Sequence, residues 1–413
     1  MLSDDRCEGG TMTIALFDDV PADPTGAPVP ERVVTFVHTA DWQLGMTRHF
    51  LPRDAQELFT AARLAAVERI GVVAADVGAE FVVVCGDVFE DHRVSARIVR
   101  QALDRMAGFT VPVYLMPGNH DPFDAASIYR SEAFVRGCPG NVTVLSTPGV
   151  REVADGVDLV VAPWPTKSPT NDLVAEQVAR LRAGDRIRIV AGHGGTDRLS
   201  PGSDPAILAV DPLEAAVRDE IIDFVALGDR HSVTDLGSTG RIWYSGAHET
   251  TNFDDVECRP GEVLAVTLTR GTQRTATVTA HPVGRWRFHS MTADVDSAAD
   301  VDALAARLEA IPAKPTTVVR LGLVGSLSVG DHAGLTDLLD ESSDRFAALV
   351  RWDSHDDLRV VADPADIAGL GLRGYAAEAA DELVALAGSG DADAAVARDA
   401  LALLGRLAGG GDR

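Results

Sequence analysis

Val33-Val34-Thr35-Phe36-Val37-His38-Thr39-Ala40-Asp41-Trp42-Gln43 reads as a buried β-strand that runs out into a loop rich in metal-ligand residue types. The pattern recurs four times. Residues 81–85 lead into Gly86-Asp87-Val88-Phe89-Glu90, and 113–116 into Pro117-Gly118-Asn119-His120-Asp121. Residues 187–191 lead into Gly192-His193-Gly194-Gly195, and 224–227 into Gly228-Asp229-Arg230-His231. Short apolar runs bounded by turn residues mark fully buried strands. In open α/β sheets the loops beyond the strands' carboxyl ends carry the site. Five such loops on one rim supply Asp, Asn and His to a common pocket, which is the composition of a two-metal hydrolytic site.

Phosphate-ester hydrolysis needs charge neutralised on the phosphoryl oxygens and a hydroxide made at neutral pH. Two divalent metals roughly 3.5–4 Å apart do both. Asp87 suits the bridge between them, because it follows a strand and a glycine that lets the backbone turn sharply. Asp41 is the terminal carboxylate of one metal, which His231 also suits; Asn119 and His193 suit the second. His120 is placed as the general acid for the leaving oxygen, with Asp121 fixing its orientation and raising its basicity.

The 413 residues leave room for two or three domains. No apolar stretch approaches the roughly 20 residues of a membrane span, and residues 1–31 lack a signal pattern, so a disordered leader and a cytoplasmic protein are expected. Cys7, Cys85, Cys138 and Cys258 form no C-x-x-C pair, so neither a zinc ribbon nor a disulfide scaffold is indicated. The net charge is −25, and lysine occurs only at Lys167 and Lys314. Such an acidic chain argues against strong autonomous DNA binding, but leaves room for a local arginine patch or a partner that supplies the grip.

Strands and helices alternate from residue 33 to about 282, with helices expected over 55–77, 95–106, 172–183 and 212–222. Strands follow over 241–245, 262–269 and 275–280. The expected fold is α/β, two sheets packed face to face with helices outside. A boundary falls near His281-Pro282-Val283-Gly284. Beyond it, a helix marked by Val301, Leu304 and Leu308, strands over 316–324, 346–352 and 358–361, and a helix over 334–340 make a small α+β domain. Alanine-rich helices over 375–387 and 392–407 close the chain. The division is thus a leader 1–31, a catalytic domain 32–283, a small α+β domain 284–370 and a helical tail 371–413.

With these motifs in view, the chain resembles the calcineurin-like metallophosphoesterases, and within them the SbcD-type DNA repair nuclease subunits. His38-Thr39-Ala40-Asp41-Trp42, Gly86-Asp87-Val88-Phe89, Gly118-Asn119-His120-Asp121, Gly192-His193, the Gly228 to His231 loop and Tyr244-Ser245-Gly246-Ala247-His248-Glu249 carry the resemblance, in the family's order. It implies a two-sheet αββα sandwich, two divalent metals (manganese, with magnesium as the other candidate), DNA as substrate, an SbcC-like coiled-coil ATPase as partner and homodimerisation through the catalytic domain. The following domain has the layout of the family's DNA-capping domain, and the tail that of the ATPase-binding segment.

Two positions depart from the family pattern, which has Asp-x-His in the first motif and Gly-His-x-His in the fifth. Gln43 stands in place of the first histidine and Asp229 in place of the second. An amide oxygen and a carboxylate both ligate hard cations, so the ligand count is kept in a more oxygen-rich shell. The other reading is a weakened site in a scaffold subunit. A third is a phosphodiesterase for a small nucleotide, which would suit the acidic surface but not the extra C-terminal domain. Arg48, Arg93 and Arg130, on or just after the motif loops, either clamp phosphates or pair with surface carboxylates. His92 either positions DNA or belongs to a solvated loop. His38, His248 and Glu249 read as braces of the rim.

Overall fold

The computed structural model describes residues 31–361 except 201, 203, 272 and 273, residues 372–387, and residues 396, 397, 400, 401, 403 and 404. The expected leader, Glu31 excepted, and most of the second tail helix lie outside the described residues. The chain divides into two compact units. One takes the described residues up to His49 together with Gln56–Trp286; the other takes Phe50–Ala55 and the described residues from Arg287.

The first unit holds two six-stranded sheets. In the first, β1 (Arg32–Thr39), β2 (Phe81–Cys85), β3 (Val113–Met116) and β4 (Val142–Val144) lie side by side and parallel. In the second, β5 (Gly149–Ala154) pairs antiparallel with β6 (Val157–Val161), which runs parallel to β7 (Ile187–His193) and β8 (Phe224–Gly228). β9 (Thr234–Leu236) and β10 (Ile242–Tyr244) complete that sheet, β10 parallel to β8. The hairpin of β11 (Glu262–Arg270) and β12 (Arg274–Pro282) returns to the first sheet beside β1.

The strands read as continuous apolar runs because both of their faces are covered. Val34, Phe36, Phe81 and Val83 meet Leu159, Ile189 and Phe224 between the sheets. Phe36 stacks on Phe81 with ring centroids 5.2 Å apart and meets Phe224 edge-on at 5.8 Å. On the outer face of the first sheet, Val37, Val82 and Val84 pack against α1 (Arg53–Asp76), α2 (Ala96–Ala107) and α3 (Glu132–Gly137). On the outer face of the second, Val160, Val190 and Val225 pack against α4 (Leu173–Val178) and α5 (Val210–Arg218). The result is the αββα sandwich expected from the resemblance.

Parallel order puts the carboxyl ends of β1, β2, β3, β7 and β8 on one rim, where the two sheets nearly touch. A Cβ on Gly228 would lie 1.9 Å from the Cys85 carbonyl oxygen. Gly86 has a φ of +92°, and a Cβ there would lie 2.1 Å from His193 Nδ1. These glycines let the loop of one sheet reach the loops of the other.

The second unit is a four-stranded parallel sheet of β13 (Arg287–Asp294), β14 (Thr317–Leu327), β15 (Ala348–Arg351) and β16 (Asp357–Val360). α6 (Ala298–Ala310) and α7 (Val329–Ser343) contribute Leu304, Leu308 and Leu335 to its core with Val319, Leu321 and Leu323. β13 is absent from the sequence reading; its polar His289 and Ser290 break the apolar signal. α8 (Tyr375–Ala387) packs Ala380 with Leu401 in a small cluster of its own.

Closure of the rim gives a stability test. Gly228→Ala is expected to cost about 3 kcal/mol or more in urea unfolding, because backbone of the facing sheet occupies the place of its Cβ. Gly140→Ala, with nothing within 4 Å of its Cβ, is expected to stay within about 0.5 kcal/mol of the parent. Equal effects of the two would contradict the close approach.

Candidate metal centre

The loop after β1 is pinned to the loop after β2 by backbone bonds. Asp41 N–H donates to the Gly86 carbonyl at 3.1 Å, and Gln43 N–H to the Asp87 carbonyl at 2.8 Å. From behind, the buried Arg63 guanidinium donates to the carbonyls of Trp42 at 2.6 Å and Thr250 at 3.1 Å. Asp41, Gln43, Asp87 and Asp229 all have left-handed backbone, with φ of 53°, 40°, 54° and 101°. Non-glycine residues rarely sit there, and held together such strain marks functional loops.

Asp41, Asp87 and His193 each offer a ligand atom within 4.8 Å of the others, all three buried. His193 Nε2 lies 3.4 Å from Asp87 Oδ1, 3.8 Å from Asp229 Oδ1 and 2.6 Å from Asn119 Oδ1. The other ring nitrogen, Nδ1, is 2.8 Å from the Cys85 carbonyl, so the hydrogen bond to that backbone oxygen directs Nε2 to the cluster. Asp229 N–H donates to both oxygens of Asp41, at 3.0 and 3.1 Å. His231 Nδ1 is 2.6 Å from Thr251 Oγ1, and Thr251 in turn donates to Glu257.

Burial pushes the Asp41 and Asp229 carboxyls up, and neighbouring carboxylates push the same way. Burial alone would depress His193, but Asp87, Asp41 and Asp229 more than offset it and lift it to about 9. Burial holds His231 down at about 4, neutral and with a ring lone pair to offer. Carboxylates packed this closely around an imidazole could hold a cation.

The donors fit divalent metals. Gln43 is nearly fully buried, and its Oε1 has no hydrogen-bond partner. A buried amide oxygen left unpaired costs about 1–3 kcal/mol, which a ligand role would explain. Among the described residues Asp41, Asp87 and His193 form the compact cluster, with Asn119 and Asp229 beside His193, and carboxylate, amide and imidazole groups of this kind suit hard cations.

One expectation is corrected. Asp121 does not orient His120. Its oxygens accept from Gly118 N–H at 2.8 Å, Phe89 N–H at 3.1 Å and Tyr129 Oη at 2.6 Å. Asp121 therefore braces the second loop against the third. His120 is held by the Glu90 carbonyl, 2.8 Å from Nδ1, while Nε2 lies 3.9 Å from Asp87 Oδ2. The sequence pattern carries no signal for Glu90 here, because the contact is made by backbone.

The remaining residues flank this centre. Arg48 is half-buried and donates to the Thr251 carbonyl. His92 Nε2 is 3.4 Å from Asp124. Arg93 has a side chain 90% exposed and reaches Asp91, and Arg130 lies over the Phe123 ring at 4.3 Å. His38 Nε2 is buried against the Leu227 carbonyl at 3.1 Å. Glu249 accepts from Arg285 and Trp286 N–H groups, and His248 Nε2 lies 3.0 Å from the Arg63 carbonyl, both bracing roles. A cleft of about 230 Å³ opens beside Asp229 and His231, walled by Thr196, Leu199, Ser200, Tyr244, Asn252 and Val256. Among the described residues, no helix is long and apolar enough to cross a membrane.

Gln43→Leu separates stability from ligation. In chelator its melting point is expected to hold or rise, by the equivalent of about 1 kcal/mol, because an unpaired buried oxygen is removed. With manganese present the stabilisation by metal is expected to shrink relative to the parent. A fall in chelator, with full manganese stabilisation retained, would contradict a ligand role for Gln43.

Residues 34–233 match the family model for calcineurin-like phosphoesterases. Over 89 residues the chain is 32% identical to the DNA double-strand break repair protein Mre11 of Archaeoglobus fulgidus, a match covering 21% of this chain and 19% of that protein. Similar solved structures include a dimetal phosphatase from Danio rerio, at 11% identity and a TM-score of 0.37, covering 62% of this chain and 100% of that one. A purple acid phosphatase from yellow lupin (Lupinus luteus) seeds is similar at 12% identity and a TM-score of 0.35, covering 62% of this chain and 52% of that one. The segment similar to that family covers just under half of the chain and runs from β1 through the loop that follows β8.

Proposed function

We propose that this chain is a two-metal phosphodiesterase that hydrolyses DNA, a cytoplasmic nuclease subunit similar to the SbcD type, dimeric and working beside an SbcC-like coiled-coil ATPase. The observation that carries this reading is the convergence of five ligand loops on a closed rim, with the unpaired Gln43 oxygen among their donors. The stretch similar to an archaeal double-strand break repair protein supports DNA as the substrate class.

Asp41, Gln43 and His231 would hold one divalent ion and Asn119 and His193 the other, with Asp87 between them and Asp229 enriching the shell in oxygen. Manganese or magnesium suits that donor set. The ions would supply charge neutralisation on the phosphoryl oxygens and an activated water. His120, steadied at Nδ1 by Glu90, donates a proton from Nε2 to the departing oxygen. The cleft is smaller than the roughly 300–1,000 Å³ typical of small-molecule pockets, in keeping with one group of a longer substrate entering it. Arg48, His92, Arg93 and Arg130 would meet the phosphate backbone, and the partner would supply most of the grip that a net charge of −25 withholds.

That same charge favours a second reading, a phosphodiesterase for small nucleotides. The test is hydrolysis of a bis-aryl phosphodiester with manganese, followed by linear DNA and a cyclic nucleotide side by side. Asp87→Ala is expected to abolish turnover. His120→Ala is expected to lose about 10²–10⁴-fold while keeping both metals. Turnover of the cyclic nucleotide alone would favour the second reading. No turnover, with fewer than two metals bound, would favour a scaffold subunit.

A further inference from the structure

Thr251 and Glu257 are both buried, at 1% and 3% exposure, on the segment that follows β10. Glu257 Oε2 accepts two backbone N–H groups, from Thr251 at 2.8 Å and Asn252 at 2.6 Å. Its Oε1 lies 3.0 Å from Thr251 Oγ1 and 4.0 Å from His231 Nδ1. Thr251 Oγ1 is also 2.6 Å from His231 Nδ1. The Thr251 carbonyl accepts from Arg48, so the residue is held at its amide, its carbonyl and its hydroxyl.

A carboxylate can only accept hydrogen bonds, and a threonine hydroxyl has one proton. With Glu257 in its ionised form, that proton is committed to Oε1, 3.0 Å away. The short contact between Oγ1 and His231 must then be filled by a proton on the ring.

We infer that Thr251 and Glu257 are positioning residues that fix His231 as its Nδ1–H tautomer and so leave Nε2 as the lone pair offered to a divalent metal. Partners of this kind orient imidazole ligands and raise their basicity. The inference rests on the two-metal reading for its consequence, but the tautomer itself belongs to the protein without metal. Neither residue is marked by motif or spacing in the sequence.

Glu257→Gln gives a sharp test. The two backbone N–H groups keep the amide oxygen where Oε2 lies, which turns the amide NH₂ toward Thr251 Oγ1. The hydroxyl must then donate to His231 Nδ1, and the ring is driven to its Nε2–H form. Nitrogen-15 NMR of histidine-labelled, metal-free protein reads this directly. The full-length parent is expected to show a protonated Nδ1 on His231, and Glu257→Gln a protonated Nε2. Thr251→Val is expected to lose the preference, and Thr251→Ser to keep it.

Manganese titration reads the consequence. One of two equivalents is expected to weaken about 10–100-fold in Glu257→Gln and Thr251→Val, and less than about 3-fold in Thr251→Ser. A parent with protonated Nε2, or variants that keep the parent's tautomer and affinity, would overturn the inference. If the parent shows the expected tautomer yet binds no manganese, the relay stands and the two-metal reading falls.

Discussion

Mutual repulsion among buried carboxylates is the constraint around which this molecule is arranged. Asp41 and Asp87, both buried, are gathered with the buried imidazole of His193 at the meeting line of two sheets, and the part-exposed Asp229 lies beside it. At Asp41 burial and the neighbouring carboxylates both oppose ionisation. A chain left to itself would relax by moving these loops apart. Instead each is fixed by backbone bonds, by the close approach of Gly86 and Gly228, and by the Arg63 guanidinium behind Trp42. Four non-glycine residues held in left-handed backbone store further strain. The rigid sandwich core sustains that cost, and divalent cations would relieve the electrostatic part of it.

The same arrangement explains how the two sheets divide the work. The first sheet supplies Asp41, Gln43, Asp87, Asn119 and His120, and the second supplies His193, Asp229 and His231. Neither sheet alone supplies the cluster of Asp41, Asp87 and His193. Inter-sheet packing through Phe36, Phe81 and Phe224 sets the distance between the sheets, and glycine is required where their rims meet. Stability and site geometry are therefore linked at the rim, whereas α2 to α5 stabilise the outer faces and α1 reaches the site only through Arg63, behind Trp42.

The sandwich and the ligand rim were legible because parallel strands buried on both faces leave continuous apolar runs, and each run ends at a polar loop. Long helices such as α1, α2 and α6 announced themselves by their periodicity. The hairpin of β5 and β6 and the edge strand β13 did not, since β5 and β13 are only half-covered and carry polar residues midway. The orientation of His120 is hidden from the sequence for a related reason. Adjacency suggested Asp121, but a side chain one residue along points elsewhere, and Glu90 acts through its backbone. Roles carried by carbonyls, as at Trp42, Cys85 and Glu90, or by a distant partner such as Thr251, leave no compositional trace.

We propose that Gln43 and Asp229 preserve a two-ion site in a more oxygen-rich form. Equilibrium dialysis of the full chain against manganese, followed by metal analysis of the protein, tests it most directly. The account requires two equivalents per chain, bound at concentrations where Asp87→Ala holds less. One equivalent or fewer in the parent would mean that the departures at Gln43 and Asp229 have cost the protein its second ion, and would contradict the account.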